Sequence, residues 1–296
     1  GLHARGRGGV PTARLPVGAV AASRAGGGAY AESWSMLLPG RAQGNTTADG
    51  QKFEAFLVSV VDALRAQPLG QSCLDYALAE LAPQLDHESL WLEFGVGMGN
   101  ALDRLGKRSR ALGRRRKVIG FDSFRGLPET WRHSHGLFSK AWEGSVTQQG
   151  AFALKDQPPE LMVDTKNVDF VVGRFNESLP AFLAKEHGPV SFLHIDSDLY
   201  SSALTVLTLV GPRLRPGSVI VFDELVNYVG FRHGEARALH DWLESPGFVE
   251  AGHTGLQVIG YRGPNLLMGD AEIEVALHLQ GKEGRIYPHD AVFRVW

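Results

Sequence analysis

A chain of 296 residues with 44% hydrophobic and 21% charged residues has the make-up of one globular domain with extensions, long enough to bury a large core. Thirty Lys and Arg stand against 32 Asp and Glu, a formal net charge of -2, which argues against nucleic acid or any polyanion held mainly by phosphate contacts. The one cysteine, Cys73, excludes an intrachain disulfide and a cysteine-rich zinc site, and no apolar run approaches the ~18 residues of a membrane span.

Residues 1–45 are rich in Gly and Ala, carry Arg5, Arg7, Arg14 and Arg24, and hold no acid before Glu32. Such a composition does not bury a core, so the segment is expected to lie outside the fold. It reads either as an organelle-transit-like sequence or as a flexible linker. The first reading places the protein in an organelle lumen, the second in the cytoplasm, and neither in a membrane.

From Asp49 to Gln67 the apolar residues Phe53, Phe56, Leu57, Val60, Val61 and Leu64 fall at helical spacing, and Pro68-Leu69-Gly70 ends the pattern. A second helix is expected from Ser72 to Leu85, weakening at Pro83. Both are expected to cover the sheet edge or a ligand cleft.

The period then changes. Ser89 to Phe94 is a short apolar strand that runs into Gly95-Val96-Gly97-Met98-Gly99-Asn100 and a helix from Ala101. A strand, a glycine turn and a helix open a doubly wound sheet, in which bare backbone approaches a ligand at the helix N-terminus. The spacing is G-x-G-x-G, not the G-x-G-x-x-G of dinucleotide enzymes, and Glu93 stands just before it. An acid there suits a ligand with a cationic amine better than a pyrophosphate. The basic run from Arg104 to Lys117 reads as a solvated helix face rather than an anion-binding patch.

Val118 to Asp122 is the second strand. Its terminal Asp122 falls where this fold sets a carboxylate on ribose hydroxyls, the alternative being a turn acid in Asp122-Ser123-Phe124-Arg125-Gly126. Residues 128–166 lose periodicity and carry Trp131, His133, His135, Phe138, Trp142 and Phe152, which reads as a lid over an acceptor pocket. Val168 to Gly173 is the third strand, with Phe175 after it as an adenine-stacking or core aromatic.

Val190 to Ile195 is the fourth strand, with Asp196 and Asp198 just past its end, and Val219 to Phe222 the fifth, ending in Asp223 and Glu224. Ligands of open α/β sheets bind at that edge. Three carboxylates at one rim, Asp196, Asp223 and Glu224, are costly unless a cation neutralises them, so an oxygen-ligated divalent ion, Mg²⁺ before Ca²⁺, is expected. The alternative is that these acids cap helices or meet Arg232, His233 and Arg237. His194 reads as a hydrogen-bonded core histidine. Gly234 to Glu244 is a helix, and Phe248 to His253 with Leu256 to Tyr261 form a closing antiparallel hairpin.

The ordered set LEFGVGMGN, GFDSFRGLPE, GRFNESLP, LHIDSDLYSSAL, LRPGSVIVFDELVNY and GEARALHDWL resembles the macrocin O-methyltransferase family, the TylF-like class I S-adenosylmethionine enzymes that methylate sugar hydroxyls of natural products. The resemblance implies an α/β fold with a Rossmann-like doubly wound sheet of seven strands. It further implies S-adenosylmethionine contacts at Glu93, Gly95, Gly97, Gly99, Asp122 and Ser123, a Mg²⁺ site at Asp196, Asp223 and Glu224, and a general base at Asp198. The partner would be a small-molecule hydroxyl acceptor, a sugar or glycoside, and a homo-oligomer is compatible.

The chain accordingly divides into residues 1–45, a methyltransferase domain over 46–265, and a C-terminal extension over 266–296. The alternating run Ile273 to Leu279 of that extension is expected to add an edge strand or meet another subunit. Two other readings stay open. An NAD-linked Rossmann oxidoreductase leaves the rim acids unexplained, and a non-catalytic nucleotide-binding module uses the fold without turnover.

Overall fold

The computed structural model describes residues 14–16, 48–114, 116–132, 146–162, 165–262 and 289–296. Its elements, in chain order, begin with β1 (Arg14–Pro16), α1 (Ala48–Arg65), α2 (Cys73–Tyr76), β2 (Leu90–Phe94), α3 (Asn100–Ala111) and β3 (Val118–Asp122). The two-residue strands β4 (Trp131–Arg132) and β5 (Val146–Thr147) follow, then β6 (Val168–Val172), α4 (Phe175–Lys185), β7 (Val190–Ile195) and α5 (Tyr200–Val210). The chain ends with β8 (Leu214–Val226), α6 (Glu235–Leu243), α7 (Pro246–Glu250), β9 (Gly255–Tyr261) and β10 (His289–Val295).

The main sheet runs β1-β9-β10-β8-β7-β2-β3-β6, with β6, β3, β2, β7 and β8 mutually parallel and β10 antiparallel to both its neighbours. This is the Rossmann-like class I methyltransferase order, with the order of strand addition reversing beside the central β2. Alternation along the strands sorts the core into two layers. Leu92, Phe94, Leu193, Ile195, Ile220 and Phe222 point to the side covered by α1, α4, α5 and α6. Trp91, Val118, Phe192, Val219 and Val221 point to the side covered by α3 and the stretch from Cys73 to Leu85.

Helix α1 shows why the pattern holds. Its Phe53, Phe56, Leu57, Val60, Val61 and Leu64 are all buried, and each such side chain contributes about 1.5–3 kcal/mol of burial. The second expected helix is broken into pieces, because after α2 the backbone widens to a π-turn at Ala77–Leu81 and tightens to a 3₁₀ turn at Ala82–Gln84 around Pro83.

Three expectations are corrected. The segment around Phe248 is helical rather than a strand, because Pro246 at the first helical position starts α7. The reversed strand is supplied by β10, so residues 289–295 are part of the sheet core and not of a separate extension. Residues 14–16 join the edge as β1, paired to Gly255–Gln257, although the segment holding them was expected outside the fold. The Ile273–Leu279 run lies outside the described residues.

The basic run is not merely solvated. Arg114 is buried, stacks 4.2 Å over Trp91 and donates to the Ser89 and Asp86 carbonyls; Arg116 pairs with Glu186, and Lys117 with Asp169. These contacts tie α3 and its following loop to neighbouring elements.

Candidate active site

Strand register builds the site. In the parallel ladder Glu93 of β2 lies opposite His194 of β7, and His194 lies opposite Val221 of β8, so with a period of two Asp223 follows on the same face. The three residues thus form a row across adjacent strand ends. Asp223 and Glu224 are neighbours that a regular strand would turn to opposite faces. Between them and β10 the pairing shifts: Phe222 faces Ala291 but Val226 faces His289, so β8 bulges over Asp223–Leu225. The bulge lets both acids line one cavity.

That cavity, about 1170 Å³, is lined by the glycine loop, by Asp122, Ser123 and Phe175, and by His194, Asp196, Asp198, Asp223 and Glu224. A space of this size exceeds the roughly 300–1,000 Å³ of an ordinary small-molecule pocket and has room for two reactants. Trp131, Thr147 and Phe152, which fall in the segment read as a lid, line it too. His133, His135, Phe138 and Trp142 lie outside the described residues.

The glycine loop divides by role. Gly95 (φ +93°) packs so closely that a Cβ would overlap the carbonyl oxygen of Asp196, and the Asp196 amide donates to the Phe94 carbonyl at 2.9 Å. Gly97 (φ +48°) faces open space within the cavity lining. Gly99, expected to touch a cofactor, instead packs beneath Leu161 and Pro159 and is not among the lining residues.

Asp122 accepts from the Val96 and Gly97 amides through Oδ2, at 2.9 and 3.0 Å, and from the Phe124 amide through Oδ1 at 2.8 Å. It is therefore both the turn acid and a cavity residue: Oδ2 already accepts twice, and Oδ1, which accepts once, keeps a second lone pair for a hydroxyl. Glu93 is not in the lining. It is fully buried, its Oε1 lies 3.4 Å from His194 Nδ1, and burial raises its carboxyl above the usual range despite that contact.

At the rim two overlapping donor groups share Asp196. One oxygen from each of Asp196, Asp198 and Glu224 lies within 4.8 Å of the others, and the same holds for His194, Asp196 and Asp223. The expected trio of Asp196, Asp223 and Glu224 is thus split between two groups, with Asp198 and His194 as additional members. Burial, then the neighbouring acids Asp223 and Asp198, drives the Asp196 carboxyl well up; burial, then Asp198 and Asp223, does so for Glu224. Burial also pushes Asp198 up to about 6, partly offset by its hydrogen bond with Glu224. Asp198 itself sits in the left-handed region (φ 61°), which costs about 1–2 kcal/mol for most side chains and less for Asp.

Sequence reasoning missed Glu235. It is fully buried at the start of α6, its Oε1 accepts from the Ser197 amide at 3.2 Å, and so it holds the turn between Asp196 and Asp198. Its position directly after Gly234 in GEARALHDWL is the signal the sequence carries.

Fit to a cation is tested by the protein's own polar atoms. Glu224 Oε2 and His194 Nε2 are buried with no partner among the described residues, and clustered raised acids beside such orphans suit a positive charge. Fit to a nucleoside donor is tested by the open space at Gly97 next to Asp122.

Residues 92–225 match a family model described as a methyltransferase domain. A curated relative from Streptomyces olivaceus, 8-demethyl-8-(2,3-dimethoxy-alpha-L-rhamnosyl)-tetracenomycin-C 4'-O-methyltransferase, is 27% identical over 167 residues. That alignment covers 52% of this chain and 58% of the relative, so the chain spans under two thirds of the relative's length. Among solved structures, the calicheamicin methyltransferase CalS11 is 19% identical with a TM-score of 0.45, over 87% of this chain and 98% of that one. An O-methyltransferase from Bacillus cereus, in complex with S-adenosylhomocysteine, is 16% identical with a TM-score of 0.41, over 90% and 97%. No helix among the described residues is long and apolar enough to cross a membrane.

Proposed function

We propose that this chain is an S-adenosylmethionine-dependent O-methyltransferase acting on a hydroxyl of a sugar or glycosylated natural product, with a divalent cation, Mg²⁺ in the first instance, at the rim. One observation carries the reading: the glycine loop with Asp122 and the acid rim open into the same cavity, locked together where Gly95 meets Asp196. The match to a methyltransferase domain supports the donor, and the name of the Streptomyces relative, which refers to a rhamnosyl group, supports a sugar acceptor. The NAD-linked alternative leaves the rim acids without a task.

Gly95, Gly97, Asp122 and Ser123 hold the donor, with Asp122 on its ribose hydroxyls. Asp196, which both donor groups share, would hold the cation with Asp223 on one side and Glu224 on the other, and the cation would supply positive charge that weakens an acceptor hydroxyl's hold on its proton. In the transfer the acceptor oxygen bonds to the methyl carbon as the carbon–sulfur bond breaks, S-adenosylhomocysteine leaves, and the hydroxyl proton passes to the Asp198 carboxylate. Glu235 keeps Asp198 in place through the Ser197 amide.

Methyl transfer to a panel of sugars, glycosides and catechols, with and without EDTA, tests this. The expected result is turnover on a sugar or glycoside hydroxyl that chelation abolishes. Activity indifferent to EDTA and to Asp196→Ala would refute the cation, and absence of turnover on every hydroxyl acceptor would refute the activity.

A further inference from the structure

His194 has no part in the mechanism above; it is a buried, hydrogen-bonded histidine, as expected, but one with a second ring nitrogen to account for. The ring is fully buried and lines the cavity. Its Nδ1 faces the carboxylate of Glu93 at 3.4 Å, and its Nε2 has no partner among the described residues. One ring nitrogen of His194 and one oxygen each from Asp196 and Asp223 lie within 4.8 Å of one another.

These facts fit together. A fully buried imidazole nitrogen left without a partner costs stability unless something fills the gap. With Nδ1–H committed to the carboxylate behind it, the lone pair at Nε2 is free to meet a cation. A carboxylate behind an imidazole fixes the tautomer and raises the ring's basicity, as is usual for metal-binding histidines. Strand register makes the arrangement, since Glu93 and His194 are paired residues of adjacent strands and Asp223 follows on the same face.

We propose that His194 is a ligand of the rim cation together with Asp196 and Asp223, that Glu93 is its positioning residue, and that the site therefore prefers a first-row transition-metal dication such as Mn²⁺ over Mg²⁺. Mg²⁺ favours oxygen donors and retained water, whereas imidazole suits the transition metals. The inference rests on the reading of the rim as a cation site and concerns which donors and which metal that site uses.

The test is binding of Mn²⁺ and of Mg²⁺ to the metal-free full chain by calorimetry, with pulsed electron paramagnetic resonance of the Mn²⁺ form. Mn²⁺ is expected to bind at least about tenfold more tightly than Mg²⁺ and to show hyperfine coupling to a directly bound nitrogen. His194→Gln should lose the nitrogen coupling and the preference for Mn²⁺ while still binding Mg²⁺. Glu93→Gln should keep the coupling and weaken Mn²⁺ binding by about tenfold to a hundredfold.

Mn²⁺ bound without nitrogen coupling in the unaltered protein overturns this inference and leaves an all-oxygen cation site standing. Failure of both metals to bind overturns the inference and the cation in the proposed function together. If His194→Gln does not fold, the coupling in the unaltered protein and the behaviour of Glu93→Gln decide the matter.

Discussion

Gly95 and Asp196 are locked together: the side chain that Gly95 lacks would occupy the place of the Asp196 carbonyl oxygen. The loop after β2 and the loop after β7 are thus fastened backbone to backbone, and a change in one moves the other. Gly95→Ala combines that overlap with a left-handed backbone at φ +93° and is expected to cost at least about 3 kcal/mol of stability. Gly97→Ala meets no atom within 4 Å and is expected to cost the fold only about 1 kcal/mol while weakening donor binding, because its Cβ enters the cavity. Thermal melts and S-adenosylhomocysteine titrations of both variants check the contrast.

Asp198→Asn separates proton removal from binding. The amide keeps the size of the side chain but does not accept a proton, so kcat is expected to fall by about 10²- to 10⁴-fold with S-adenosylhomocysteine affinity unchanged. An unchanged kcat would remove Asp198 from the role of base.

Asp196→Asn should raise the melting temperature of the metal-free protein and abolish its response to cations. Asp196 stands among Asp198, Asp223 and Glu93, and burial with these neighbours drives its carboxyl up, so the metal-free fold carries a penalty that the amide lifts. In the unaltered protein, added divalent cation should raise the melting temperature with concentration, as ligand linkage requires.

A pH effect is expected at Asp290, behind the rim. Burial, with Asp223 nearby, pushes the Asp290 carboxyl from its ordinary 3.8 to about 6, although the Cys73 amide donates to it at 2.7 Å. A raised folded-state value means that Asp290 contributes stability fully below pH 3.8 and loses that contribution as pH rises through about 6. The gap between the two values corresponds to at most about 3 kcal/mol. Asp290→Asn still accepts from Cys73 and should gain on the unaltered protein as pH rises from about 3.8 through about 6, the gain holding level above that. Parallel pH profiles for the two proteins would contradict this.

The parallel half of the sheet was legible because each strand is a short apolar run ended by a glycine or an acid, and Val190–Ile195 was read to its last residue. The antiparallel half was not. Its reversed strand is the last stretch of chain, and pairing with β8 depends on contacts far apart in sequence that no local pattern announces. The site followed the same rule. Asp122, Asp196 and the glycine turn were visible at strand ends, whereas the row from Glu93 through His194 to Asp223 exists only once register is known. Glu93 was expected to face a ligand's amine and instead faces His194.

We propose the cavity between the glycine loop and the rim as the site of a methyl donor. Calorimetric titration of the full chain with S-adenosylhomocysteine, and then with NAD, tests it most directly. Saturable binding of S-adenosylhomocysteine that Asp122→Ala abolishes, with no response to NAD, is the predicted result; tight NAD binding with no response to S-adenosylhomocysteine would contradict it.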